Sequence, residues 1–167
     1  MKLDQVLILT AGGTIDKSYG VGAGVRDLSF SGPPAVAHML QRIVSAGDYP
    51  VVPIMAKDSL DMNDQDRAMI TAMCASVPYM RILITHGTDT MDKTAAKIAK
   101  KNLRKTVVIT GAGQPAVTQG TDADFNVGFA LASAAIAKPG VYVAMNCRLY
   151  RWNEFKKNPK TGVFEPA

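Results

Sequence analysis

A chain of 167 residues with 47% of them in the apolar class can bury one real core, and two domains would be a squeeze; residues 1–167 therefore read as a single domain. It has no run of 18 apolar residues, and an acidic residue precedes the first short β-like run, so no membrane span or signal peptide is expected and the placement reads as cytoplasmic. The net charge is +5, but outside 148–160 the basic residues are dispersed and no aromatic stripe accompanies them, which argues against nucleic acid, while Cys74 and Cys147 lack the spacing of a disulfide framework or a cysteine zinc site.

The runs at 6–9, 51–55, 81–84, 106–109 and 141–145 are short and continuously apolar or β-branched, the pattern of parallel strands covered on both faces. Helices are expected between them. The first spans about 34–45, opened by prolines and stopped by Gly47; the others span about 63–75, 90–101 and 124–137, the last stopped by Pro139-Gly140. In the third, Thr94, Ala95 and Ile98 make a small apolar face, and Lys93, Lys97, Lys100 and Lys101 gather toward the negative end of the helix dipole. The fourth carries Phe125, Phe129, Leu131 and Ile136 around much of its circumference, which suits either a covered helix or a subunit contact. Strands alternating with helices give an α/β fold with an open, doubly wound, mostly parallel sheet. After it, 147–157 and 162–164 flank Asn158-Pro-Lys-Thr-Gly162 as the arms of a C-terminal β-hairpin.

Two strand ends carry the same device. Val6-Leu-Ile-Leu9 opens into Thr10-Ala-Gly-Gly-Thr14, and Ile82-Leu-Ile84 opens into Thr85-His-Gly-Thr-Asp-Thr-Met91. Ligands of open α/β sheets gather beyond these carboxyl ends. Gly12 and Gly13 let the backbone turn sharply and leave Thr14 either as nucleophile or donor, or merely bonded within a strand-to-loop turn. The loop that follows, 16–24, holds Gly20, Gly22 and Gly24 around Tyr19, which suits a closing loop as well as an ordinary surface tyrosine. Neither phosphate-binding fingerprint is present, and no cofactor is expected.

Thr88 and Asp89 can cap the helix that follows them, or Thr88 can move a proton while Asp89 holds a cationic group. His86 reads as a structural imidazole and His38 as a helix-surface one. No cluster has metal-ligand spacing, so no metal is expected. Ser59 is suited to a carboxylate, and Asp61 or Asn63 to capping the next helix. A lysine of the hairpin, Lys156, Lys157 or Lys160, can return toward the strand ends, and the pattern does not choose among them.

Taken with Val107-Val-Ile-Thr-Gly-Ala112, Asp124-Phe-Asn126 and Gly140-Val-Tyr-Val-Ala-Met-Asn146, the motifs at 10–15, 58–64 and 85–91 resemble, in order, those of the bacterial-type L-asparaginases, the threonine amidohydrolases. The resemblance covers almost the whole chain but only the N-terminal domain of the usual two-domain enzyme. It implies a flavodoxin-like domain working as a homo-oligomer, dimer or tetramer, that hydrolyses the side-chain amide of L-asparagine to aspartate and ammonia. Thr14 matches the nucleophilic threonine, Tyr19 the loop tyrosine, and Thr88 and Asp89 the second threonine and its aspartate. Counting along the hairpin puts the family's lysine at Lys157, with Lys156 as the neighbouring register. Ser59 would take the substrate α-carboxylate, Asp89 the α-ammonium and the Ala112 carbonyl the leaving amide, with backbone N–H groups around Gly13 and Gly87–Thr88 receiving the oxyanion.

Three departures shape the expectation. Ala11 replaces a common threonine; Leu60 stands where many members place a glutamine, leaving an apolar wall at the substrate's α-groups; and the second domain, which lends a carboxylate to the substrate ammonium, is missing. Low affinity for asparagine and poor use of glutamine follow. The rival readings are hydrolysis of glutamine or another small amide, and a silent amino-acid-binding regulatory domain.

Overall fold

The computed structural model describes residues 2–19, 28–43 and 48–167. In chain order it contains β1 (Lys2–Gly12), a 3-10 turn (Thr14–Asp16), β2 (Ser18–Tyr19), β3 (Leu28–Ser29), α1 (Ala35–Arg42), β4 (Val51–Lys57), α2 (Asp64–Ser76), β5 (Tyr79–Thr85) and α3 (Met91–Ala99). β6 (Thr106–Thr110), α4 (Ala123–Ile136), β7 (Gly140–Met145), β8 (Arg148–Arg151), β9 (Phe155–Lys157) and β10 (Phe164–Pro166) complete it. All five expected strands and all four expected helices are present. The expected end of the first helix, 44–45, and its stop at Gly47 lie outside the described residues, as do Gly20, Gly22 and Gly24.

The main sheet has the order β4-β1-β5-β6-β7-β8, parallel throughout except for the last strand, which runs antiparallel to β7. This is the open, doubly wound, flavodoxin-like arrangement with a C-terminal antiparallel hairpin, β9–β10. The order in which strands are added reverses between β1 and β5, β4 lying on one side of β1 and β5 to β7 on the other, so the crevice beyond those two strands is the topological switch point where such sheets bind ligands. Both Gly-Thr devices sit there.

Alternate residues of the strands feed two cores. Leu7, Leu9, Ile82, Ile84, Val107 and Ile109 pack with Ile70 and Cys74 of α2 and Met91, Ala95 and Ile98 of α3. Val6, Ile8, Leu83 and Val108 pack on the other face with Val36 and Met39 of α1 and Val127, Ala130 and Ala134 of α4. Asn63 starts α2 by accepting from the N–H groups of Gln65 and Asp66, while Asp66 accepts from the Asn63 N–H, a complete capping box. Of the two capping candidates it is therefore Asn63, not Asp61, that caps.

Two expectations need correction, and one alternative falls away. β4 is an edge strand with Pro53 and Ala56 exposed rather than covered on both faces, and an edge is where a proline's missing N–H does no harm. Of the two readings of α4, the fully covered helix is the one that falls, since Phe125 and Ile136 are exposed at 61% and 82%. The segment 147–157 is two strands, because Asn146 and Cys147 take φ values of 52° and 61° and turn β8 back on β7 with Met145 opposite Arg148. Positive φ at both loop residues is what a two-residue hairpin needs, and Asn-Cys lacks the glycine that usually announces it. Phe155 and Phe164 then fold under the sheet, stacked with centroids 5.7 Å apart, and carry β9 back across the strand ends.

Candidate active site

Close backbone approach assembles the site. Gly13 has φ 89°, and a Cβ there would collide with the Gly87 nitrogen; a Cβ on Gly87 would lie 2.6 Å from Ser59 Oγ. The loops after β1, β5 and β4 are thus stacked through two glycines, with Thr14 at the start of the 3-10 turn beside them. Three bonds pin that turn: Ala116 N–H to Ile15 O, Ala35 N–H to Asp16 Oδ1, and Lys17 Nζ to Asp58 Oδ2 at 2.5 Å. The Gly13 N–H is already donated to Lys57 O, so it is not an oxyanion donor; the N–H groups of Gly87 and Thr88 have no acceptor among the described residues and retain that capacity.

Thr88 and Asp89 do not cap α3. Its N-cap is Thr90, without a side-chain cap, and the two preceding side chains instead meet Lys157. Lys157 Nζ donates to Thr88 Oγ1 at 2.8 Å and to Asp89 Oδ1 at 2.5 Å across 69 and 68 residues of sequence. Because Thr88 Oγ accepts from an ammonium, its own proton is free to point outward, and negative charge developing on that oxygen is stabilised. Thr14, Thr88, Asp89 and Lys157 share the wall of one cavity of about 550 Å³. Lys156 is exposed on the alternate face of β9 and Lys160 lies in the turn beyond it, and neither lines this cavity.

The other expected residues are placed as follows. Ala112 is buried at the end of β6, next to Gly113 of the cavity wall. Tyr19 is 62% exposed in β2, and Leu60 is 69% exposed. Ser59 lies behind Gly87, fully buried, its hydroxyl without a partner among the described residues. None of Gly13, Tyr19, Ser59, Leu60, Gly87 and Ala112 lines the cavity itself among the described residues.

The opposite wall holds a clamp that residue-by-residue reading did not single out. Asp122 accepts from the N–H groups of Gly113 and Gln114, and Asn126 donates to Gly111 O and Asp122 Oδ2 while accepting from Asn146 N–H. Asn126, 1% exposed, thereby joins the ends of β6 and β7. The one signal was the motif Asp124-Phe-Asn126 near the start of an otherwise mostly apolar helix. Asn126→Ala strands these partners and is expected to cost about 2–3 kcal/mol, to be read from chemical denaturation.

Two ionisable groups, the buried His86 and the half-buried Asp16, have opposite pH signatures. His86 donates from Nδ1 to Gly87 O at 2.7 Å, because a carbonyl only accepts, and its Nε2 accepts from Thr94 Oγ1 at 2.9 Å. Burial pushes this imidazole down to about 4. Burial pushes the Asp16 carboxyl up to about 6, offset only in part by the Ala35 N–H.

Between 6.5 and about 4 the unfolded chain protonates His86 and the folded one does not, so stability falls as pH falls. Asp16 acts in reverse: its contribution is full below 3.8 and is lost as pH rises through about 6. Asp58 and Asp66, lowered chiefly by hydrogen bonds from Lys17 and Lys57, lose their contributions only at lower pH still. The two central slopes oppose each other in the wild type. Asp16→Asn keeps an acceptor for Ala35 and removes one slope, so its stability is expected to rise by about 3 kcal/mol across this window, measured by urea unfolding.

Residues 5–163 match the family model described as "Asparaginase, N-terminal". The chain is 31% identical to the probable periplasmic L-asparaginase of Haemophilus influenzae over 96% of its own length and 48% of the relative's. With L-asparaginase 2 of Escherichia coli the identity is 32%, over 98% and 49%. Among solved structures, the thermostable L-asparaginase of Thermococcus kodakarensis superimposes with a TM-score of 0.84 at 26% identity, over 97% of this chain and 51% of that one. L-asparaginase I of Vibrio cholerae gives 0.81 at 26% identity, over 98% and 51%. The chain therefore spans about half the length of the relatives it matches.

Proposed function

The chain belongs to the asparaginase family, matching its N-terminal domain, and from that membership we propose that it is an amidohydrolase that converts L-asparagine to L-aspartate and ammonia with Thr14 as nucleophile. The observation that carries this reading is the Lys157 ammonium joined to both Thr88 and Asp89 in the cavity that Thr14 also lines. A surface ion pair alone explains little. A lysine delivered by a tail hairpin to a threonine hydroxyl supplies what an unreactive amide demands of a site, a polarised hydroxyl and a fixed positive charge.

In the proposed reaction Thr14 Oγ attacks the amide carbonyl carbon, and the oxyanion is received by the N–H groups of Gly87 and Thr88. The hydroxyl proton passes, through Tyr19 or the Thr88–Lys157 pair, to the amide nitrogen, and the C–N bond breaks to release ammonia. Water positioned by Thr88 then cleaves the Thr14 ester and frees aspartate. Asp89 holds the substrate ammonium, Ser59 its carboxylate, and the Ala112 carbonyl receives the amide N–H. The exposed Leu60 offers the substrate α-groups no hydrogen bond, and the protein acts as a homo-oligomer, dimer or tetramer.

Steady-state ammonia release from L-asparagine and L-glutamine tests the substrate assignment. Asparagine is expected to be preferred with a Michaelis constant above the micromolar range, because Leu60 cannot supply an amide contact. Preferential turnover of glutamine, or micromolar saturation by asparagine, contradicts it.

A further inference from the structure

Arg67 is 7% exposed on α2, and a guanidinium at that depth is costly unless something offsets its charge. The carboxylate next to it in sequence is already taken: Asp66 is bound by Lys57 at 2.8 and 3.0 Å, so Lys57, Asp66 and Arg67 together keep one positive charge in excess. The neighbouring His86 is neutral near pH 7. Arg67 instead spends its donors on the substrate loops. Nη1 donates to Met62 O at 2.8 Å and Nη2 to Thr90 Oγ1 at 3.0 Å, and Thr90 Oγ1 donates in turn to Ser59 O at 2.8 Å. Two groups in this chain of bonds are buried and have no partner among the described residues, Arg67 Nε and Ser59 Oγ. Both can donate, which is the complement of an anion.

We propose that Arg67 is a positioning residue that makes the site selective for a substrate bearing a carboxylate, its unneutralised charge acting through Thr90 and the Ser59 loop. This rests on the assignment of Ser59 to the substrate carboxylate. The incoming anion is then the counter-charge that the buried guanidinium lacks, and the hydrogen-bonded chain holds Ser59 in place to receive it.

The discriminating probe is 3-aminopropanamide, which is asparagine without its carboxylate. Arg67→Met is expected to raise the Michaelis constant for asparagine about tenfold, with little change in turnover number and none in kcat/KM for 3-aminopropanamide. Arg67→Lys, which keeps the charge, is expected to restore most of the loss. If Arg67→Met does not fold, Arg67→Gln removes the charge while retaining a donor and carries the same expectation. A loss equal for both amides, or no loss for either, overturns the proposal.

Binding of L-aspartate and β-alanine, followed by calorimetry, separates this from the amidase reading. If the wild type hydrolyses neither amide, weakening of aspartate but not β-alanine by Arg67→Met upholds the role of Arg67 while the amidase reading falls. Aspartate binding that is absent in the wild type, or unchanged in the variant, overturns the role itself.

Discussion

Lys157→Met is expected to lower the turnover of L-asparagine by about 10³-fold while leaving the protein folded. Methionine matches the length of the lysine stem but gives neither the bond to Thr88 Oγ1 nor the pair with Asp89. The Asp89 side chain is 46% accessible and that of Lys157 27%, so the pair lends the fold little and the unfolding midpoint should stay near that of the wild type. The loss should fall on kcat, since stabilising charge on Thr88 Oγ matters most as that charge develops. Lys156→Met is the matched control: its side chain lies on the other face of β9 and should leave turnover intact. An active Lys157→Met with an impaired Lys156→Met would transfer the relay to the neighbouring register.

Thr14→Ala is expected to have the larger effect, about 10⁴-fold on turnover, because it removes the attacking oxygen and leaves only binding and oxyanion stabilisation. The turn that carries Thr14 is pinned by bonds of Ile15 O, Asp16 Oδ1 and Lys17 Nζ, none of which uses the deleted hydroxyl, so the backbone should stay where it is. Thr14→Ser, which restores the oxygen, should recover part of the rate. Recovery by serine separates loss of the nucleophile from a displaced loop.

The parallel strands were legible because burial on both faces leaves continuous apolar runs, and the glycines marked where those runs surface. β4 reads the same way yet lies at an edge, since apolarity reports what a strand can bury and not how many neighbours it acquires. The turn at Asn146-Cys147 escaped because a left-handed pair without glycine has no local signature. For the site, the residue pattern did not choose among the hairpin lysines; the family resemblance pointed to Lys157, with Lys156 as the neighbouring register, and it is Lys157 that contacts Thr88. The Asp122–Asn126 clamp and the Arg67–Thr90–Ser59 chain were not legible: Asp122 and Asn126 lie four residues apart, but the Asn126 bonds to Gly111 and Asn146 span 15 and 20 residues and those of the second chain span 23 and 31, which no spacing encodes. Ser59 shows the same limit from the other side. Its motif suits a carboxylate, but only the structure shows its hydroxyl buried behind Gly87 and its backbone carbonyl tied through Thr90 to a buried arginine.

Ammonia release from L-asparagine, followed in parallel for the wild type and Thr14→Ala at saturating substrate, tests the assignment of Thr14 most directly. The expected result is saturable turnover by the wild type and its near-complete loss in a folded Thr14→Ala. Wild-type turnover retained by Thr14→Ala, or a folded wild type that releases no ammonia, would contradict it.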